Sequence, residues 1–186
     1  AHLEALPLIT FCGKVSKTKG IDVLLQANAI IQRQHPAALL ILGSGDLTQI
    51  CREISGPYSM ENVIYLGHCP QKELALLHNL ATLSVLPSRT EGFGIAALEA
   101  MGCGKPIVAT RVGGLADFAV GGLVEPEDPA GLAAQILAVL RLPARDYDLL
   151  CEEALTVARR YSWEMLVERR LCYYEMLVEK NKKKKG

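Results

Sequence analysis

No Cys-x-x-Cys pair occurs among the six cysteines, Cys12, Cys51, Cys69, Cys103, Cys151 and Cys172. None of His2, His35, His68 or His78 stands at ligand spacing from them. The common zinc frameworks are thereby excluded, and no metal is expected. Several of the cysteines lie in apolar stretches, as unpaired core thiols do; reduced thiols in a cytoplasmic protein are the expectation. No apolar run approaches the roughly 18 residues that a membrane span needs. The first residues carry Glu4 and lack a basic segment, so no leader is expected in them. Neither sign of charge dominates, with 20 Lys plus Arg against 20 Asp plus Glu, which removes the field that would attract nucleic acid. One local excess of charge remains, Lys180-Asn181-Lys182-Lys183-Lys184-Lys185-Gly186. Residues 181–186 are set apart as a solvated, disordered tail on a domain spanning 1–180. The alternative for that tail is contact with anionic lipid, at about 1 kcal/mol per lysine near the surface. That would place the protein at the cytoplasmic face of a membrane.

What the sequence does have is an apolar half and a strict alternation. Short apolar runs (8–12, 38–42, 62–66, 81–86, 106–110 and 122–124) alternate with stretches of helical period. In the first of these stretches, Ile21, Leu24, Leu25, Asn28 and Ile31 fall on one face. Asp46 is placed to cap a short helix. Further helices are expected at 71–80, from about 94 to 102, and at 129–141, 145–160 and 163–180. The strand runs are apolar throughout rather than alternating, which predicts burial on both faces of a parallel sheet. The fold class is therefore α/β, a doubly wound parallel sheet of Rossmann-like type. The last helix carries Trp163, Leu166, Val167 and Leu171, which are expected to pack on the same sheet.

In such a sheet ligands bind beyond the C-terminal strand ends. The loops expected there, 13–20, 43–46, 67–70, 87–94 and 111–117, all contain glycine with polar or charged residues. Glycine lets a backbone approach a ligand closely, and helix N-termini offer free N–H groups to phosphate or hydroxyl oxygens. One such loop is an ordinary turn; five on one edge make a binding rim. The most informative segment is Pro87-Ser88-Arg89-Thr90-Glu91-Gly92-Phe93-Gly94-Ile95-Ala96-Ala97-Leu98-Glu99-Ala100-Met101-Gly102-Cys103-Gly104-Lys105-Pro106. Two glutamates stand with residues 92–98 between them, the first followed by Gly-Phe-Gly and the second by Ala-Met.

This segment resembles the donor-site signature of retaining glycosyltransferases of the GT-B fold, above all family 4, and the resemblance extends from about residue 8 to about residue 175. It implies that the chain is the C-terminal, donor-binding half of such an enzyme, a hexosyltransferase in type. The donor would be a nucleotide-diphospho-sugar and no cofactor would be needed. The acceptor would be held by an N-terminal domain that this sequence does not contain, so the chain alone is not expected to transfer sugar. By the same resemblance Glu91, Gly92, Phe93, Gly94 and Ile95 would contact the donor sugar, and Glu99 the ribose hydroxyls. Gly13, Lys14 and Lys19 would hold the diphosphate, with Lys14, Lys19 and Glu91 the catalytic set. Gly43, Ser44, Gly45, Gly67 and His68 would lie toward the base.

The sequence also departs from the family. Lys14 stands where arginine is usual, keeping the charge but losing the two-pronged fork. The segment after Gly113-Gly114 is shorter than usual, with Asp117 in place of glutamate. Gly113-Gly114-Leu115-Ala116-Asp117 also resembles glycogen- and starch-synthase-like glucosyltransferases, which form one alternative. A non-catalytic nucleotide-binding or interaction domain of the same fold is the other.

Overall fold

The computed structural model describes residues 6–183. Six parallel strands, β1 (Leu8–Cys12), β2 (Ala38–Leu42), β3 (Val63–Gly67), β4 (Leu83–Leu86), β5 (Ile107–Thr110) and β6 (Gly121–Val124), form one sheet in the order β3-β2-β1-β4-β5-β6. The helices are α1 (Ile21–Gln34), α2 (Leu47–Glu53), α3 (Gln71–Leu80), α4 (Ile95–Gly102), α5 (Leu115–Phe118), α6 (Pro129–Leu140), α7 (Ala144–Arg159) and α8 (Trp163–Lys183). This is the doubly wound arrangement expected. The order reverses between β1 and β4, and a crevice opens above such a reversal.

The apolar runs become strands because both of their faces are needed. Along β2 every residue is buried. Leu39 and Ile41 join a core with α1 and α6, while Leu40 and Leu42 join Leu74 of α3 on the opposite face. That split is the two-residue period of a strand applied to a sheet covered twice. On α1 the expected stripe is buried, including the polar Asn28. Asn28 is satisfied there: its amide donates to the carbonyls of Ser59 (3.0 Å) and Glu61 (3.1 Å), and its oxygen accepts from Gln32. Asp46 caps α2 by accepting from the Gln49 amide.

Three expectations need correction. β3 is not buried on both faces, since it is an edge strand and leaves Tyr65 and Leu66 exposed. The 111–117 stretch is not all loop: Leu115 and Phe118, three apart and both buried, wind it into α5. The last helix does not pack on the sheet. Trp163 is 81% exposed, Val167 and Leu171 are exposed, and only Leu166 is half-buried. The reason is that the sheet's faces are taken: α1 and α6 pack together on one, α4 and α7 on the other. Helix α8 reaches Lys183, three residues into the stretch set apart as a tail; 184–186 lie outside the described residues. No helix of the described residues is long and apolar enough to cross a membrane.

His78 on α3 is buried with no hydrogen-bond partner for either ring nitrogen. Burial pushes its pKa below the ordinary value, against the opposing pull of the Glu99 charge. A neutral imidazole in the fold means that unfolding takes up a proton at mildly acid pH. Stability is then complete above about pH 6.5, the ordinary histidine value, and falls as the pH drops below it. Replacing His78 with leucine should raise stability at neutral pH by about 1 kcal/mol, the low end for removing an unsatisfied buried group. It should also flatten the decline below pH 6.5. Urea midpoints measured from pH 5 to 8 on both proteins provide the check.

Candidate functional site

The crevice above the β1–β4 reversal is walled by the loops that leave those two strands. After β1 the backbone turns away from the sheet: the Gly13 amide donates to the Leu42 carbonyl (2.9 Å) and the Val15 amide to that of Ser44 (2.9 Å). Lys17–Lys19 then makes one 3₁₀ turn, closed by Gly20 at φ 70°. A Cβ at Gly20 would sit 1.9 Å from the Pro87 carbonyl oxygen. Only glycine both adopts this backbone and lets the turn rest on the 87–94 loop. The contact carries Lys19 to the crevice. Across it, the Lys19 ammonium donates to Glu91 Oε2 at 2.6 Å, with both side chains largely shielded. Glu91 also accepts from the Ser88 hydroxyl (3.4 Å) and the Gly92 amide (3.2 Å). At Gly113, φ 49°, a Cβ would lie 1.9 Å from the Glu91 carbonyl oxygen, so this glycine lets the neighbouring loop back the Glu91 turn closely.

Behind Gly92 and Gly94, Phe93 packs against Phe118 and Tyr161, with ring centroids 5.6 Å away in each case. Such tilted and edge contacts stiffen the loop. Between the two loops lies a cavity of about 260 Å³, lined by Phe11, Cys12, Gly13, Lys19, Leu86, Ser88, Glu91 and Phe93–Ala96. A cation, a carboxylate and the entry to α4 thus face one concave space. Burial pushes the Cys12 thiol on its wall up to about 11, with help from Glu99 and Cys69. That thiol is not a nucleophile at neutral pH.

Gly13, Lys19, Glu91, Phe93, Gly94 and Ile95 therefore line one cavity. Gly92 is exposed on the rim beside them. Lys14 is exposed and outside the lining. Gly43, Ser44 and Gly45 follow β2, and the Gly43 amide donates to the Gly67 carbonyl (2.7 Å), which joins the loops after β2 and β3. His68 follows Gly67 and is exposed. Glu99, half-buried on α4, accepts from Gln71 at 2.6 Å and borders a second groove with Phe93, Ile95 and Trp163. Among the described residues, no three His, Cys, Asp or Glu side chains are grouped to hold a metal ion.

Sequence reasoning missed Gln71, the Phe118–Tyr161 support and, above all, Arg89. The Arg89 guanidinium forks onto Asp22, with both hydrogen bonds at 2.8 Å. It also donates to Glu127 (2.7 Å) and to the Lys17 carbonyl. Burial pushes the Asp22 carboxyl up, but the hydrogen bond and charge of Arg89, together with backbone hydrogen bonds, hold it below its ordinary value.

Comparison with known proteins bears on the family and the fold. Residues 6–142 match the family described as Glycosyl transferases group 1. D-inositol 3-phosphate glycosyltransferase 1 of Catenulispora acidiphila is 35% identical over 190 residues, covering 92% of this chain and 44% of that protein. An uncharacterized glycosyltransferase of Methanocaldococcus jannaschii is 33% identical over 178 residues, covering 92% of this chain and 45% of its own length. Among solved structures, sucrose-phosphate synthase of Thermosynechococcus elongatus superposes with a TM-score of 0.77 at 26% identity, over 94% of this chain and 46% of that one. Anabaena HepE in complex with UDP-glucose superposes with a TM-score of 0.75 at 20% identity, over 95% and 50%. The chain spans about half the length of the relatives that it matches. With a sheet that reverses at a Lys19–Glu91 crevice and a matching stretch from β1 through α6, the chain belongs to the glycosyl transferases group 1 family and has the fold of the C-terminal half of a GT-B glycosyltransferase.

Proposed function

We propose that this chain is the donor-binding half of a retaining glycosyltransferase, holding a nucleotide-diphospho-sugar whose sugar passes to an acceptor on an N-terminal domain outside this sequence. The observation that carries the reading is the cavity in which Lys19 and Glu91 face one another beside Gly92–Gly94. An ammonium has three donors. One serves Glu91, and the others suit the diphosphate as it departs, where a fixed cation stabilises developing negative charge. Glu91 and the amides of Gly92, Phe93 and Gly94 suit sugar hydroxyls. Glu99 offers a vicinal ribose diol two acceptor oxygens. Gly43–Gly45 and Gly67–His68, in the joined loops after β2 and β3, are assigned to the base. The half contributes positioning and leaving-group stabilisation rather than a general base.

A rival reading, a domain of this fold that binds nucleotide without transfer, draws on Lys14. This lysine replaces an arginine and stands outside the cavity lining.

The test is thermal unfolding with UDP, GDP and ADP, each in EDTA and then with magnesium or manganese. A ligand at a hundredfold excess over its Kd stabilises by about 2.7 kcal/mol. For a chain of this size that is a rise in Tm of roughly 5–10 °C. The expected result is such a rise with one base preferred, and the same in EDTA, since lysine, chiefly the cavity-lining Lys19, is proposed to supply the positive charge. No response to any nucleotide would remove the donor reading. A response confined to added metal would remove the lysine role.

A further inference from the structure

We propose that Arg89 and Asp22 form a clamp that sets the spacing between the loop bearing Lys19 and the loop bearing Glu91, making Arg89 a positioning residue for the donor diphosphate. This rests on the reading of the crevice as a donor site.

The geometry is specific. Arg89 stands two residues before Glu91, and Asp22 three residues after Lys19, in the first turn of α1. The fork between them therefore spans the crevice walls just outside the Lys19–Glu91 pair. It is reinforced at the same place by main-chain contacts: the Arg89 amide donates to the Thr18 carbonyl (2.8 Å), and its guanidinium reaches the Lys17 carbonyl. Arg89 thus holds the chain on both sides of Lys19, through Lys17 before it and Asp22 after it. Its side chain does not line the cavity, so it acts on a ligand only through the loops it joins. A planar two-pronged contact fixes orientation as well as distance, which a lysine at this position would not do. Misplacement by about 1 Å is enough to cost a positioned group most of its effect.

The clamp concerns Lys19 and hence phosphate, whereas none of Arg89's hydrogen bonds reaches Glu99 or the loops after β2 and β3, the first of which meets the Lys19 loop at Val15, ahead of the 3₁₀ turn. Its loss should therefore fall on the diphosphate and spare the nucleoside. Calorimetry on the whole chain would measure UDP and UMP, with GDP and GMP and ADP and AMP as parallel pairs, for wild type, Arg89→Gln, Arg89→Lys and Asp22→Asn. The expected result is an advantage of diphosphate over monophosphate in wild type that drops about tenfold in Arg89→Gln and Asp22→Asn. Arg89→Lys should be intermediate, and the monophosphate affinity should hold throughout. A role in stability alone would lower both affinities together, or neither, and leave the ratio intact; either outcome overturns the clamp. Should Arg89→Gln not fold, Arg89→Lys and Asp22→Asn supply the same ratio, because each leaves part of the ion-pair network in place. If wild type binds none of the six nucleotides, the donor reading fails and the clamp with it. If wild type binds and the ratio is unmoved, the clamp alone fails.

Discussion

Glu99→Ala is expected to weaken binding of the preferred nucleoside diphosphate by about 1.5–3 kcal/mol, the range for a hydrogen bond to a charged group. That is roughly a tenfold to 150-fold rise in Kd. The apolar side of α4 consists of Ala97, Ala100 and Met101, all buried, and Glu99 is held half out of the core. Among the described residues its carboxylate makes one bond, accepting from Gln71 through Oε1. The remaining acceptor capacity is what a ribose diol would use. Stability at neutral pH should therefore change much less than affinity. Two controls separate a ribose contact from a general loss. The 2′-deoxy nucleotide should bind wild type more weakly and should lose little more in the variant. Removing Glu99 also takes away the charge that opposes burial at His78, so the decline of stability in acid should extend to lower pH. Unchanged calorimetric affinity for the diphosphate would show that Glu99 does not reach the ribose.

The inner strands were legible because burial on both faces leaves a mark that needs no partner to interpret. Residues 38–42 read as β2 from their composition alone, and all five are buried. The convergence of the glycine-bearing loops on one edge was legible for a related reason. In a parallel sheet every loop that leaves a strand's C-terminus lies on one side, so glycine-rich loops far apart in sequence converge. The strand order was not legible, since pairing depends on contacts between segments that carry similar apolar runs. Lys14 and Lys19 are indistinguishable as residues in a basic loop. They part only because the 3₁₀ turn at 17–19 and the Gly20–Pro87 contact aim the second one inward. Arg89 and Asp22 lie 67 residues apart and belong to different elements, so no period or spacing connects them. For α8 the sequence showed apolar residues able to pack but not where they would pack, and the sheet's faces had already been taken by α1, α6, α4 and α7.

Binding of the donor without transfer of its sugar is the expected behaviour of this chain alone. The sheet is closed on both faces by its own helices, and the cavity is built from residues of the chain itself, so the proposed donor binding asks for nothing further. Transfer does. In the proposed enzyme the acceptor hydroxyl comes from a second domain that closes over the crevice, expels water and aligns the attacking oxygen. Alignment of that kind accounts for roughly 7–11 kcal/mol of barrier lowering. At 1.36 kcal/mol per tenfold in rate, its loss is about 10⁵-fold or more. The chain should therefore show at most slow hydrolysis of a UDP-, GDP- or ADP-sugar that it demonstrably binds. Supplying the N-terminal half, as one polypeptide or as a separate chain, should raise sugar transfer by at least that factor while changing donor affinity little. The measurement is radiolabelled sugar transfer to a panel of acceptors, made on the chain alone and on the reconstituted protein at saturating donor. Robust transfer by the chain alone would mean that the acceptor site lies on this half, with the groove bordered by Glu99, Ile95 and Trp163 the place to look for it.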